Sequence, residues 1–122
     1  MTTETIVMEL VVKGGNARSK AMLAIQAARE KDFEKASALM EECRKSLLSA
    51  HQVQTELIQE ELNGGGENKM SLIMIHGQDH LMNAMTVQDL AEQMIEMYRI
   101  MYKIEKDSLG FKNEARKGDE AL

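Results

Sequence analysis

Proline and tryptophan are absent from this 122-residue chain, and phenylalanine and tyrosine occur only twice each. Eleven methionines and many Ala, Leu, Glu, Lys and Gln stand in their place, which is the usage of long helices, so the expected class is all-α. The single cysteine, Cys43, excludes an internal disulfide. The N-terminus lacks a basic stretch followed by a long apolar run of the signal-peptide kind. Both point to a reducing cytoplasm. No stretch approaches the roughly eighteen consecutive apolar residues that a membrane span needs. An excess of basic charge is also missing. Fifteen basic against twenty acidic residues leave a net charge of −5, so no overall cationic field draws in nucleic acid or an anionic membrane surface. Protein partners or small ligands are expected instead.

What is present is enough for one domain, because a chain of this length buries roughly two-thirds of the surface its unfolded form exposes. Gly and Asn are the main breakers. The clearest break is the run NGGGEN at 63–68, which divides the chain in two. A second falls at EKDF, 30–33, where Asp32 can cap a new helix and Phe33 and Ala36 begin a new apolar stripe. Three helices follow, at about 3–30, 33–62 and 69–104. The segment after Ile104 is charged, contains Gly110 and Gly118 and carries no sustained stripe. The expected organisation is a helical domain over 1–104 and a polar C-terminal extension or tail over 105–122.

The second helix carries Phe33, Ala36, Met40, Cys43, Leu47, Ala50 and Leu57 at mostly alternating spacings of three and four, interrupted by Gln54. Such a seam suits a near-antiparallel bundle. The first helix offers Ile6, Leu10, Ala17, Ala21, Ala24 and Ala28, small residues that let a neighbour come close. In the third helix a seam runs Ile73, His76, His80, Asn83, Val87, Leu90, Met94, Met97, Met101, Ile104, and other faces carry Leu72, Met74, Ile75, Leu81, Met82 and Met85. A helix apolar nearly all round must be covered nearly all round, which points to a homo-oligomer with this helix inside.

Within that helix His76, Asp79, His80 and Asn83 stand at i, i+3, i+4 and i+7, on one side. An i, i+4 histidine pair can hold zinc, but the hydrolase version needs Glu directly after the first His, and Gly77 stands there. Polar groups that merely fix the bundle's register are the plain alternative. Against it, Gly77 in a helix interior costs about 1 kcal/mol relative to Ala, which a site needing close approach by another molecule would explain. Gln78 adds a neutral donor, and a neutral imidazole is a competent nucleophile able to hold a phosphoryl group when donors meet its oxygens. Asp79 on an otherwise apolar helix needs a cation. Copies of it round a three-fold axis would form an oxygen-rich site suited to magnesium, whereas an ordinary ion pair with Lys or Arg of a neighbouring helix would also serve.

Four segments, GNARSKAMLAI at 15–25, KDFEKA at 31–36, AHQVQTELI at 50–58 and HGQDHLM at 76–82, together resemble the enzyme IIA component of the lactose and N,N′-diacetylchitobiose (cellobiose) family of the bacterial phosphoenolpyruvate-dependent sugar phosphotransferase system. The likeness spans residue 3 to about 102. It implies an antiparallel three-helix subunit assembled as a homotrimer. It further implies that His76 takes a phosphoryl group from phospho-HPr and passes it to a cysteine of enzyme IIB. Asp79 matches the family's metal aspartate, one per subunit around a shared Mg2+, and Gln78 and His80 would support the phosphoryl group. His51 and Gln54 would make polar contacts within the bundle. Asn16 replaces the Asp that often follows the family's glycine, which puts a carboxylate role there in doubt. Met74, Met82 and Met85 suit either a docking surface or the core. The sugar, of which cellobiose or diacetylchitobiose is favoured over lactose, would be chosen by the membrane component. The rival reading is a non-enzymatic helical adaptor that recruits partners through its Met-rich face.

Overall fold

A computed structural model describes residues 3–63 and 72–121. Within them lie three helices, α1 (Thr3–Arg29), α2 (Phe33–Leu62) and α3 (Leu72–Ala121), and no strand. Residues 64–71, which include most of the expected NGGGEN break and the expected start of the third helix, lie outside the described residues.

The first break is made by backbone hydrogen bonds of the kind that close a helix C-terminus. Asp32 N donates to Ala27 O at 2.9 Å and Lys31 N to Ala28 O at 3.0 Å, with Lys31 in the left-handed region at φ 69°. Asp32 then caps α2 as its sequence position suggested, its Oδ1 accepting from Lys35 N at 3.2 Å. The chain thereby reverses. Lys13, Asn16 and Lys20 of α1 meet Ser49, Ser46 and Glu42 of α2, so partner numbers fall as α1 advances. Gln54, Arg44 and Ser37 of α2 likewise meet Gln78, Glu92 and Arg99 of α3. Each sequential pair is therefore antiparallel.

These polar links are largely exposed and worth up to about 1 kcal/mol each, so burial of apolar surface does most of the work. The seams expected on α1 and α2 form the core: Leu10, Ala17, Ala21, Ala24 and Ala28 meet Ala36, Met40, Cys43, Leu47, Ala50 and Leu57, with Ile6 and Phe33 half-buried at the margin. Burial raises the Cys43 thiol above its ordinary range, with Glu92 adding to the shift and Arg44 opposing it. The thiolate that reacts or binds metal is thus disfavoured, and Cys43 is a packing residue.

α3 departs from the expected seam in two respects. The face turned inward is Met74, Gly77, Leu81, Ala84, Ala91 and Ile95, whereas Leu90, Met94, Met97, Met101 and Ile104 are each more than two-fifths exposed. The helix also runs on past 104 to Ala121, so that its 50 residues extend about 75 Å against about 45 Å for the 30 of α2. Lys31 of the α1–α2 turn marks where the body ends, pairing with Glu105 at 3.1 Å while its ammonium lies over the Tyr102 ring. The Glu, Lys, Arg and Ala of the extension are good helix formers, which sustains the helix without an apolar stripe.

Gly77 also differs from expectation. It is buried, and a Cβ there would stand 2.9 Å from Val7 Cγ1, so the close approach it permits is that of α1 and not of another molecule. Gly14 does the reciprocal service, since a Cβ on it would meet the His80 carbonyl oxygen at 3.3 Å. The two glycines draw α1 and α3 together along the stretch that carries His80.

Candidate functional site

His76, Asp79, His80 and Asn83 come together as the spacing predicted, along one open groove of about 390 Å³. They do not sit in a core: His76, Asp79 and Asn83 are exposed and His80 is half-buried, and no polar or charged residue is buried among the described residues. The reading that these groups only fix the register of a buried seam therefore fails in the single chain.

The two imidazoles are in contact. Their Nε2 atoms lie 3.1 Å apart, with ring centroids separated by 4.5 Å and the planes at 84°. One Nε2 must carry the proton and the other the lone pair. If His80 donates, His76 accepts with the Nε2 lone pair and carries its own proton at Nδ1, the tautomer a nucleophile at Nε2 requires once His80 turns away. The close approach at Gly14 fixes the backbone from which His80 does this.

Gln78 is placed elsewhere. Two residues from His76, it projects about 160° away round the helix. There it is half-buried against α2, where Gln54 Nε2 donates to its Oε1. That bond leaves the Gln78 amide N–H groups available and explains why Gln54 interrupts the α2 seam. His51, by contrast, is exposed; its backbone carbonyl accepts from Thr55 Oγ1 at 2.9 Å, and the expected polar contact of its side chain within the bundle is not found among the described residues. Asn16 Nδ2 donates to Ser46 Oγ, a role open to an amide and not to a carboxylate. Of the three methionines, Met74 belongs to the core, while Met82 and Met85 are on the surface.

Asp79 has no ion pair among the described residues, and no group of three or more His, Cys, Asp and Glu side chains there could hold a metal within one chain. Its position on α3 is informative. Ile75, Met82, Leu90, Met97, Ile100 and Ile104 are all exposed. On a regular helix they fall with Asp79 within a sector of about 80°, opposite the core-facing side. The carboxylate thus stands in the middle of an uncovered apolar stripe.

A fifth residue borders the groove. Arg18, from α1, faces the same space as the histidine pair and Asp79. Spacing within one helix could not have found it, because it comes from another element 58 or more positions earlier in the chain.

Comparison with known proteins places these features in a wider set. The family described as "PTS system, Lactose/Cellobiose specific IIA subunit" matches residues 5–99. The lichenan-specific phosphotransferase enzyme IIA component of Bacillus subtilis (strain 168) is 50% identical over 95 residues, which is 78% of this chain and 86% of the relative. The N,N′-diacetylchitobiose-specific EIIA component of Escherichia coli (strain K12) is 42% identical, with 78% and 81% covered. Among solved structures, the cellobiose-specific enzyme IIA from Bacillus anthracis superposes with a TM-score of 0.79 at 41% identity, over 84% of this chain and 94% of that one. The IIA(Chitobiose) of the Escherichia coli IIA(Chitobiose)–HPr complex does so with a TM-score of 0.74 at 38% identity, over 84% and 98%.

Proposed function

Because this chain belongs to the lactose/cellobiose-specific enzyme IIA family of the phosphotransferase system, and so is a phosphotransferase, we propose that it accepts a phosphoryl group from phospho-HPr on His76 and passes it to a cysteine of a cognate enzyme IIB. The observation that carries this reading is the exposed His76 ring held at its Nε2 by His80, at the edge of an open groove. Family membership also disposes of the non-enzymatic adaptor.

The transfer balances simply. The bond from phosphorus to the donor atom of HPr breaks and its electron pair stays with that atom, while the lone pair of His76 Nε2 forms the new P–N bond. The His76 ring gives up its Nδ1 proton and the donor takes up one in its place, so nothing is oxidised or reduced. In the second step the sulfur of enzyme IIB attacks the same phosphorus, the P–N bond breaks with its electron pair returning to His76 Nε2, and a proton equivalent to the one the thiol gives up restores the Nδ1–H. Positioning and charge stabilisation do most of the work in such a displacement. When phosphorus occupies the space between the rings, the His80 N–H turns from the His76 lone pair to a phosphoryl oxygen. Support for HPr as donor is the HPr complex of the chitobiose relative.

The exposed stripe of α3 supports a homotrimer, since burying each of these Ile, Leu and Met side chains is worth about 1.5–3 kcal/mol. In that assembly Gln78, on the opposite flank of α3 from His76, would support the phosphoryl group of an adjacent copy through its unengaged amide N–H groups. Asp79, unpaired within that stripe, fits a shared divalent ion: one carboxylate from each copy would hold Mg2+ on the axis, and the ion would supply charge neutralisation there. Residues 1–104 form the working unit, and of the segment 105–122 beyond it residues 105–121 continue α3. No described helix is long and apolar enough to cross a membrane, which accords with a cytoplasmic carrier serving a membrane permease. The sugar is a β-linked disaccharide, for which we favour cellobiose or diacetylchitobiose over lactose; the relatives' names include lichenan, diacetylchitobiose and lactose alike.

Mixing the isolated phosphoprotein with a cognate enzyme IIB should move the phosphate to the IIB cysteine within the mixing time and leave unmodified chain behind. A phosphoprotein that keeps its phosphate in the presence of IIB, while HPr can still remove it, would contradict the second half of the relay.

A further inference from the structure

The groove holds one feature that the reading of His76 leaves without a task. Arg18 of α1 lines it together with His76, Asp79, His80 and Asn83, and of these five only Arg18 has a permanently charged cationic side chain. Elsewhere on the surface the basic side chains that have partners are turned to carboxylates, hydroxyls or rings. Lys20 pairs with Glu42, Lys31 with Glu105, Arg44 with Glu41 and Glu92, and Arg99 reaches Ser37 and lies over Phe33. Arg18 takes part in no ion pair, side-chain hydrogen bond or ring contact found among the described residues.

We propose that Arg18 binds the phosphoryl group carried by His76, its guanidinium donating to the phosphoryl oxygens from the α1 wall of the groove while His80 donates from the α3 wall. This rests on the assignment of His76 as the acceptor and deepens it.

Three arguments support the role. A phosphoryl group brings roughly two negative charges into a groove that already contains the Asp79 carboxylate, and that repulsion needs a cation close by. Arginine is the side chain best matched to it, because its planar fork donates two parallel N–H bonds to a phosphoryl group and it stays charged throughout the working range. Arg18 also sits on a wall whose distance from the histidines is fixed. Gly14, one helical turn before it, lies against the backbone of His80, so the guanidinium approaches from a rigid base. An ion pair with Asp79 is the competing use, and it is not formed although both side chains border the same space.

The test uses the full chain with enzyme I, HPr, Mg2+ and phosphoenolpyruvate, comparing wild type with Arg18→Gln and Arg18→Lys. Two quantities are read: the initial rate of phosphorylation at limiting HPr, and the half-life of the isolated phosphoprotein's phosphate at neutral pH. Arg18→Gln should lose about ten- to a hundredfold in rate, as expected for a lost charge-assisted hydrogen bond. Arg18→Lys should fall between, because it keeps the charge without the fork. Sedimentation and helix content should match wild type for both variants. Wild-type rate and half-life in Arg18→Gln would overturn the proposal, as would a rate lost only together with assembly, which would make Arg18 structural. A wild-type chain that takes no phosphate at all would instead overturn the assignment of His76, and the Arg18 role with it.

Discussion

His76→Gln will fold as the wild type does and accept no phosphate from phospho-HPr. The ring is exposed, and its side-chain hydrogen bond and ring contact among the described residues are with His80. Its replacement by a polar residue of similar reach should change stability by no more than about 0.5 kcal/mol, the usual effect at such a surface position. Glutamine keeps donors and acceptors in the groove but has no nitrogen with an available lone pair, so transfer is lost altogether and not merely slowed. Thermal melting followed by helix content reads the first half of the expectation, and the mass of the chain after exposure to the phosphorylating system reads the second. His80→Gln makes the useful contrast. It removes a donor but not the acceptor and should slow phosphorylation while leaving it measurable.

Asp79→Leu should give an assembly that has lost its divalent ion and no longer weakens when a chelator is added. In the proposed trimer, carboxylates gathered on the axis at about 5 Å would repel by roughly 3 kcal/mol per pair at an effective dielectric of about 20, so that assembly should depend on a neutralising ion. Leucine removes the charge and continues the apolar stripe on either side of it, formed by Ile75, Met82 and Leu90. Metal analysis of the purified protein, paired with sedimentation across a dilution series with and without EDTA, separates the two effects. Metal content equal to wild type in Asp79→Leu would refute the axis site.

α1 and α2 were readable because each is apolar on one side only, so the seam picked out by spacing is also the buried one. α3 misled for a physical reason. It has two apolar faces, and the one that packs inside the subunit is built partly from small residues, Gly77, Ala84 and Ala91, that let the other helices approach. The bulkier Met, Leu and Ile side chains mostly lie on the other face, so a reading weighted by size selects the side this chain leaves exposed. Gly77 was misread for the same reason, since its neighbour is the chain's own α1. The grouping of His76, Asp79, His80 and Asn83 was legible from helical spacing alone, and the roles given to them came from the four motifs. Arg18 was invisible because nothing in its local sequence says which helix it faces; Gln78 was singled out, but not its place, because spacing does not show that Gln54 holds it on the α2 side.

The most direct test of the account is the intact mass of the full chain after incubation with enzyme I, HPr, Mg2+ and phosphoenolpyruvate, followed by brief acid treatment. One phosphoryl group per chain, removed by acid and localised to the peptide containing His76, is the predicted result. A chain that stays unmodified beside a fully phosphorylated HPr, or one that carries an acid-stable phosphate on another residue, would contradict it.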